Sequence, residues 1–292
     1  PGCAARRQGL GVRAAGRAMK TFALALGSGG ARGLAHIAIL EALDQMGVKP
    51  VALAGTSIGA LIGAAYAAGL SGHDIRHHVL AIAHARGEMR RRFLKARAGT
   101  LSDLFAGSIS RATQMDAEKA CTEFLPEAVP ADFSMLKIPL TVMATDLHRR
   151  EEAPLSSGPL RPALAASIAI PGLFRPVILD GRVLIDGGTT NPVPYDALAG
   201  QADIIVAVDV FGAPMADRAD MPSLWESLYI TILVMGSAIL AAKLSRAAPD
   251  LVIRPNVSLF RGMDFSQASS IIRSAEKAAA ELKQKLGALL AA

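Results

Sequence analysis

The sequence predicts an α/β protein, a three-layer α/β/α sandwich with a largely parallel central sheet. Three observations predict it. Apolar runs of strand length alternate with segments of helical periodicity as far as residue 210, the order expected of parallel strands joined by covering helices. Two glycine-rich turns, at Gly27–Gly33 and Gly55–Gly59, each lie between such a strand and such a helix. The chain has 292 residues and is 51% hydrophobic, enough to bury a large core, so one domain over residues 19–292 accounts for it.

Residues 1–18 carry Arg6, Arg7, Arg13 and Arg17, no acidic residue and no apolar run of signal-peptide length. They read as an unstructured extension ahead of Met19-Lys20. An organelle-targeting peptide is the alternative, and it requires a eukaryotic source. Phe22–Leu26 reads as the first strand and runs into Gly27-Ser28-Gly29-Gly30-Ala31-Arg32-Gly33. A helix follows, with Leu34, Ile37, Ala38 and Leu40 at helical spacing. A glycine loop ending at a helix N-terminus presents free N–H groups to an anion, either a bound phosphate or a transient oxyanion. Spacing tests the nucleotide readings. No Gly-Lys-Ser/Thr occurs, and the G-x-G-x-x-G fingerprint begun at Gly27 meets Arg32 at its sixth position. Arg32 reads equally as a structural ion-pair residue and as one that positions the loop or attracts an anionic substrate.

Val51–Ala54 reads as a second strand, and Ala60–Ala68 as a closely packed helix. Between them stands Gly55-Thr56-Ser57-Ile58-Gly59, a G-x-S-x-G in the strand–turn–helix context that a nucleophilic elbow requires. The acidic residue that would hold a ribose at the end of this strand is missing. Read together, the two turns supply a serine nucleophile at Ser57 and a row of backbone donors for the oxyanion it generates.

A serine nucleophile needs a proton acceptor. The chain has six histidines, none beyond residue 148. His36 reads as a packing residue, and His73, His77 and His78 as a solvated face beside Asp74 and Arg76. His148, in a strand-end loop after Leu140–Thr145, is the one serious triad candidate. The stronger candidate base is Asp186, where the apolar run Val183–Ile185 ends in Asp186-Gly187-Gly188 and an irregular loop follows. Its bland alternative is a turn. Asp180-Gly181 fits that description better, as a hairpin turn between Val177–Leu179 and Arg182–Ile185.

Ile204–Val210 reads as a further strand. Leu228–Ala242 is an uncharged apolar run shorter than the ~18–20 residues that cross a bilayer, and reads as a buried helix or a subunit contact. Ser266–Leu290 reads as one closing amphipathic helix with Ile271, Ile272, Ala275, Ala279, Leu282 and Leu286 on its apolar face. The two cysteines, Cys3 and Cys121, form no disulfide framework, which fits a reducing, cytoplasmic setting with Cys121 helical and buried. The formal net charge is +6, with Arg86, Arg90, Arg91, Arg92, Lys95 and Arg97 in one stretch beside Met89, Phe93 and Leu94. That stretch is either a solvated face or a peripheral membrane contact. No nucleic-acid-binding motif accompanies it.

These residues resemble the patatin-like phospholipases, above all the small bacterial members and the catalytic domain of neuropathy-target-esterase-type lysophospholipases. The resemblance spans about residues 20–285. It rests on Gly29-Gly30-Ala31-Arg32-Gly33, Gly55-Thr56-Ser57-Ile58-Gly59, Asp186-Gly187-Gly188, Ala166-Ser167-Ile168-Ala169-Ile170-Pro171-Gly172-Leu173-Phe174 and Asn191-Pro192-Val193-Pro194. It implies a patatin-like fold and a Ser57–Asp186 dyad without histidine. It also implies an oxyanion hole at Gly29, Gly30, Ala31 and Arg32, and a phospholipid or lysophospholipid substrate. No cofactor and no metal are implied, and Leu228–Ala242 becomes a core-side helix. Two departures are small: Ser28 stands where plant members often have glycine, and His148-Arg149-Arg150 replaces a frequent Thr-Gly. Two rival expectations stay open: a phosphate- or dinucleotide-binding protein using Gly27–Gly33, and a catalytically silent scaffold of the same fold. A homo-oligomer is compatible with each.

Overall fold

The computed structural model describes residues 20–85, 91, 92, 95, 114–211, 221 and 224–292. The 1–18 extension, Cys3 and most of the Arg86–Arg97 stretch lie outside the described residues. Among the described residues eight strands form one sheet: β1 (Phe22–Leu26), β2 (Ala52–Thr56), β3 (Leu140–Asp146), β4 (Glu151–Leu155), β5 (Val177–Leu179), β6 (Arg182–Asp186), β7 (Ile204–Val208) and β8 (Leu251–Ile253). The order is β5-β6-β3-β2-β1-β7-β8, with β4 pairing with β3. β3, β2, β1, β7 and β8 run parallel; β4 and β6 each pair antiparallel with β3, and β5 pairs antiparallel with β6. The β5–β6 hairpin turns at Asp180 (φ 50°) and Gly181 (φ 72°), two positive φ values as the expected Asp-Gly turn requires.

The period-2 alternation of β1 explains the layering. Phe22, Leu24 and Leu26 point into the larger core, and Ala23 and Ala25 into the smaller one. The larger core is covered by α1 (His36–Met46), α2 (Ile58–Ala67), α3 (Gly72–His84), α4 (Ala117–Phe124) and α5 (Leu160–Ser167). On the alanine face, Val193, Tyr195 and Leu198 pack close, followed by α6 (Leu224–Arg246). Cys121 is fully buried in α4.

Two expectations require correction. The closing segment is not one helix but α7 (Ala268–Ser274) and α8 (Glu276–Ala291), separated at Ala275, although all six expected face residues are buried. The second correction concerns α6, which is longer and far less buried than a core-side helix. The uncharged run stops at its flanking charges, whereas the helix continues past them. Glu226 pairs with Arg261 at 3.2 Å, and Lys243 with Glu152 and Asp196 at 2.9 and 2.8 Å. By length and composition Glu226–Arg246 could cross a membrane, and only 11% of its most apolar stretch is buried. One seam holds it: Tyr229 against Gly262, Gly236 against Phe211, and Leu233, Leu240 and Leu244 in the smaller core.

Candidate active site

Ser57 stands where β2 meets α2, with φ 56° and ψ −123°, a conformation that L-residues rarely adopt. The flanking glycines make this turn possible. A Cβ on Gly59 would strike the carbonyl oxygens of Leu26 and Gly27, and one on Gly55 would sit 2.6 Å from Ala60 Cα. β1 and α2 therefore close onto each other with Ser57 at the apex. Its N–H donates to Ser167 Oγ at 2.8 Å, and Ser167 Oγ in turn donates to the Met143 carbonyl at 2.6 Å. Ser167 thus ties the elbow to β3. The sequence contained it in the Ala-Ser-x-x-Ile-Pro segment but assigned it no task.

Asp186 ends β6 opposite Ala144 of β3. Gly187 lets the chain turn there, since a Cβ would meet the Met143 carbonyl. Ser57 Oγ donates to Asp186 Oδ2 at 2.6 Å, and the Gly188 N–H donates to Oδ1 at 2.7 Å. Ser57 and Asp186 are each only 5% exposed. Burial pushes the Asp186 carboxyl up to about 6, while the Ser57 hydroxyl and the Gly188 N–H favour its ionised form. At neutral pH the group is a carboxylate whose proton affinity lies close to the working range of a general base.

The histidines stand elsewhere. His148 is exposed in the turn after β3, and its N–H donates to Asp146 Oδ1 at 3.1 Å. His36 is fully buried, and burial lowers it to about 4. A carbonyl only accepts, so neutral His36 carries its proton on Nε2 and donates to the Gly27 carbonyl at 2.8 Å. It therefore props the glycine loop as well as packing. His78 differs from the solvated face expected of it: it is half-buried and donates through Nε2 to the Phe124 carbonyl at 2.9 Å.

Within the glycine loop, the N–H groups of Gly29 and Gly30 meet no acceptor among the described residues, and Gly30 takes φ 55°. Ala31 N–H donates to the Gly262 carbonyl at 2.7 Å, and Arg32 N–H to Gly29 at 3.2 Å. Two of the four expected oxyanion donors are thus engaged within the protein. Arg32 donates through Nε to the Phe260 carbonyl at 2.7 Å and through Nη1 to that of Phe211. These bonds describe a residue that positions loops. Gly33 admits Ile58, which a Cβ there would strike.

Ser57 lies at the edge of an apolar cavity of about 170 Å³ walled by Leu34, Leu61, Ile168, Phe174, Met263 and Phe265. Among the described residues no three His, Cys, Asp or Glu side chains converge as metal ligands would. Sequence reasoning missed Tyr229 and Gly262 beside the glycine loop. Nothing local marks either one, because their place is set by contacts made across the fold.

A family model described as patatin-like phospholipase matches residues 24–199, from β1 through the loop after Asp186. An uncharacterized NTE family protein of Mycobacterium tuberculosis is 38% identical over 210 residues, 72% of this chain and 54% of the relative. Lysophospholipase nte1 of Aspergillus fumigatus is 31% identical over 202 residues, 69% of this chain and 12% of that protein. The chain therefore spans about half the length of the mycobacterial relative and a small part of the fungal one. VipD from Legionella pneumophila aligns in structure with a TM-score of 0.47 and 14% identity, covering 91% of this chain and 67% of VipD.

Proposed function

This chain belongs to the patatin-like phospholipase family, and from that premise we propose that it is a serine acyl-hydrolase acting on phospholipid or lysophospholipid carboxylic esters. The observation that carries the reading is the 2.6 Å bond from Ser57 Oγ to a buried aspartate at the edge of an apolar cavity. Ser57 Oγ attacks the ester carbonyl and its proton passes to Asp186 Oδ2. The carbonyl oxygen becomes an oxyanion that accepts from the Gly29 and Gly30 N–H groups, which meet no acceptor among the described residues. The tetrahedral intermediate collapses, the alcohol leaves with the proton from Asp186, and the acyl group stays on Ser57. Asp186 then takes a proton from water, whose oxygen attacks the acyl carbon. A second collapse releases the fatty acid and returns the proton to Ser57.

The cavity suits an acyl chain because its walls are mainly aliphatic and aromatic, and His78, the polar side chain that lines it besides Ser57, is bonded through Nε2 to the Phe124 carbonyl. In this reading residues 19–292 act as one catalytic domain, and free, buried Cys121 fits a reducing cytoplasmic compartment. Reaction with a fluorophosphonate tests it. Mass spectrometry should find the adduct on Ser57, none should form in Ser57→Ala, and the wild type should release fatty acid from lysophosphatidylcholine. An unlabelled Ser57 in the folded protein overturns the reading.

A further inference from the structure

Among the described residues, seven of the eleven exposed large hydrophobic side chains fall between 221 and 263: Met221, Leu228, Ile230, Val234, Met235, Leu259 and Met263. This concentration makes one patch of α6 and the turn at 259–263. The two pieces are joined, because Arg261 pairs with Glu226 and Tyr229 packs on Gly262. The patch is continuous with the site, since Met263 is half exposed and also lines the cavity beside Ser57.

The polar groups of α6 indicate what covers it. No charged side chain lies between Glu226 and Lys243, and both of these charges are paired with the rest of the protein. The hydroxyls of Thr231, Ser237 and Ser245 donate to the helix's own carbonyls of Ser227, Leu233 and Ala242 at 2.8, 2.8 and 2.9 Å. A helix that satisfies these three hydroxyls internally and presents Val234 and Met235 outward is suited to an apolar medium. The seam into the smaller core keeps it lying on the domain.

The patch also reaches the chemistry. Gly262, under Tyr229, accepts the Ala31 N–H that a full oxyanion loop would use. The Tyr229 hydroxyl is buried without a hydrogen-bond partner, close to where a Cβ on Gly30 would stand. We propose that α6 and the 259–263 turn form a cap that docks on the surface of an uncharged lipid aggregate, and that docking draws Gly262 away from Ala31 and frees its N–H for the oxyanion. This inference deepens the acyl-hydrolase reading and rests on it.

The test uses the whole chain and its only tryptophan, Trp225 of α6, as reporter. Adding phosphatidylcholine vesicles should shift Trp225 emission to the blue, and the shift should survive about 0.5 M salt, at which surface charges are largely screened. With a short-chain phosphatidylcholine, turnover should rise tenfold or more above the critical micelle concentration; one oxyanion donor is worth about 10²–10³ in rate. Val234→Ser with Met235→Ser, at positions 64% and 52% exposed, should abolish both effects and leave hydrolysis of a monomeric nitrophenyl ester unchanged. No vesicle response, no rise at the micelle threshold, or a rise that the double variant keeps overturns the proposal. So does a dimer in light scattering that the double variant dissociates, because a second copy would then cover the patch. Fluorophosphonate labelling of Ser57 is read in parallel, so a chain that labels normally but ignores lipid surfaces fails the cap alone. One that binds vesicles with Ser57 unlabelled fails the acyl-hydrolase reading.

Discussion

At the strand ends, Ser57 and Asp186 are 5% exposed, and each polar contact is fixed by backbone pressed against backbone. On α6, Val234 and Met235 stand 64% and 52% exposed, and one seam of side chains holds the helix to the domain. The first region is over-determined: Gly55, Gly59 and Gly187 each admit a neighbour that any Cβ would strike, and Ser167 pins the elbow to β3. The second depends on packing that rearrangement can replace, through Tyr229 on Gly262 and the Arg261–Glu226 pair. In the proposed reading the chemistry sits on the over-determined part of the fold, and access to it on the helix held by one seam.

The largest expected effect comes from breaking the rigid region's one reactive bond. Ser57→Ala and Asp186→Asn should each lower kcat by about 10⁴-fold or more while the circular dichroism spectrum is kept. The double variant should be little worse than either single one, since nucleophile and base act as a unit. Additive losses would mean that another group takes the proton from Ser57.

Next is Gly30→Val, which probes where the two regions touch. Gly30 has φ 55°, and a Cβ there would meet the Gly262 carbonyl and the Tyr229 hydroxyl. The donors of the loop should twist away from the developing charge, lowering kcat by about 10²–10³ with little change in KM. Gly47→Ala is the matched control, with φ 68° but open space around its Cβ, and should cost about 1 kcal/mol of stability and no activity. A rise in KM alone for Gly30→Val would make the glycine loop a binding loop.

The same contrast explains what the sequence disclosed. The elbow was legible because its turn is local: a strand, a serine between glycines and a helix leave few other folds for Gly55–Gly59. Asp186 was legible as an aspartate at a strand end freed by two glycines, and the neighbouring Asp180-Gly181 as a hairpin. α6 was misread because a helix apolar on nearly every side has no periodicity to say which face is buried. Counting only uncharged residues also cut it short at Glu226 and Lys243. The bond from Ala31 to Gly262 joins segments far apart in the chain, so no local pattern encodes it.

A smaller effect follows from Asp186 itself. Its carboxyl, raised by burial to about 6, must be ionised to accept the Ser57 proton. Activity should therefore fall below a midpoint near pH 6, by about tenfold per pH unit. Stability runs the other way. The folded value lies above the ordinary 3.8, so the carboxyl's contribution is fully present below about pH 4 and is lost as pH rises through 6. Asp186→Asn should accordingly gain up to about 3 kcal/mol over the wild type at pH 8, two pKa units at about 1.4 kcal/mol each, and gain little at pH 3. Denaturant melts at the two pH values check the sign. A variant destabilised at pH 8 would show that the hydrogen bonds to Asp186 outweigh the cost of burying its charge.

The smallest effect is expected at His148, the residue a serine triad would need. It lies in an exposed turn after β3, its backbone N–H donating to Asp146, while the Ser57 hydroxyl donates to Asp186. Asp146 is held below the usual carboxylate range by the N–H groups of Arg149 and His148, so this turn is organised around its own aspartate. The imidazole takes no part in that arrangement, because the main-chain N–H makes the bond to Asp146. His148→Ala should keep turnover within about twofold and leave the rate of fluorophosphonate labelling at Ser57 unchanged, as expected of an exposed surface substitution. The informative control is His36→Ala, which removes a buried bond to the Gly27 carbonyl and should cost both stability and rate. If His148→Ala instead abolished labelling in a folded protein, the proton acceptor would sit on an exposed turn. The proposed centre at Ser57 and Asp186 would then have to be redrawn with its base outside the buried strand ends.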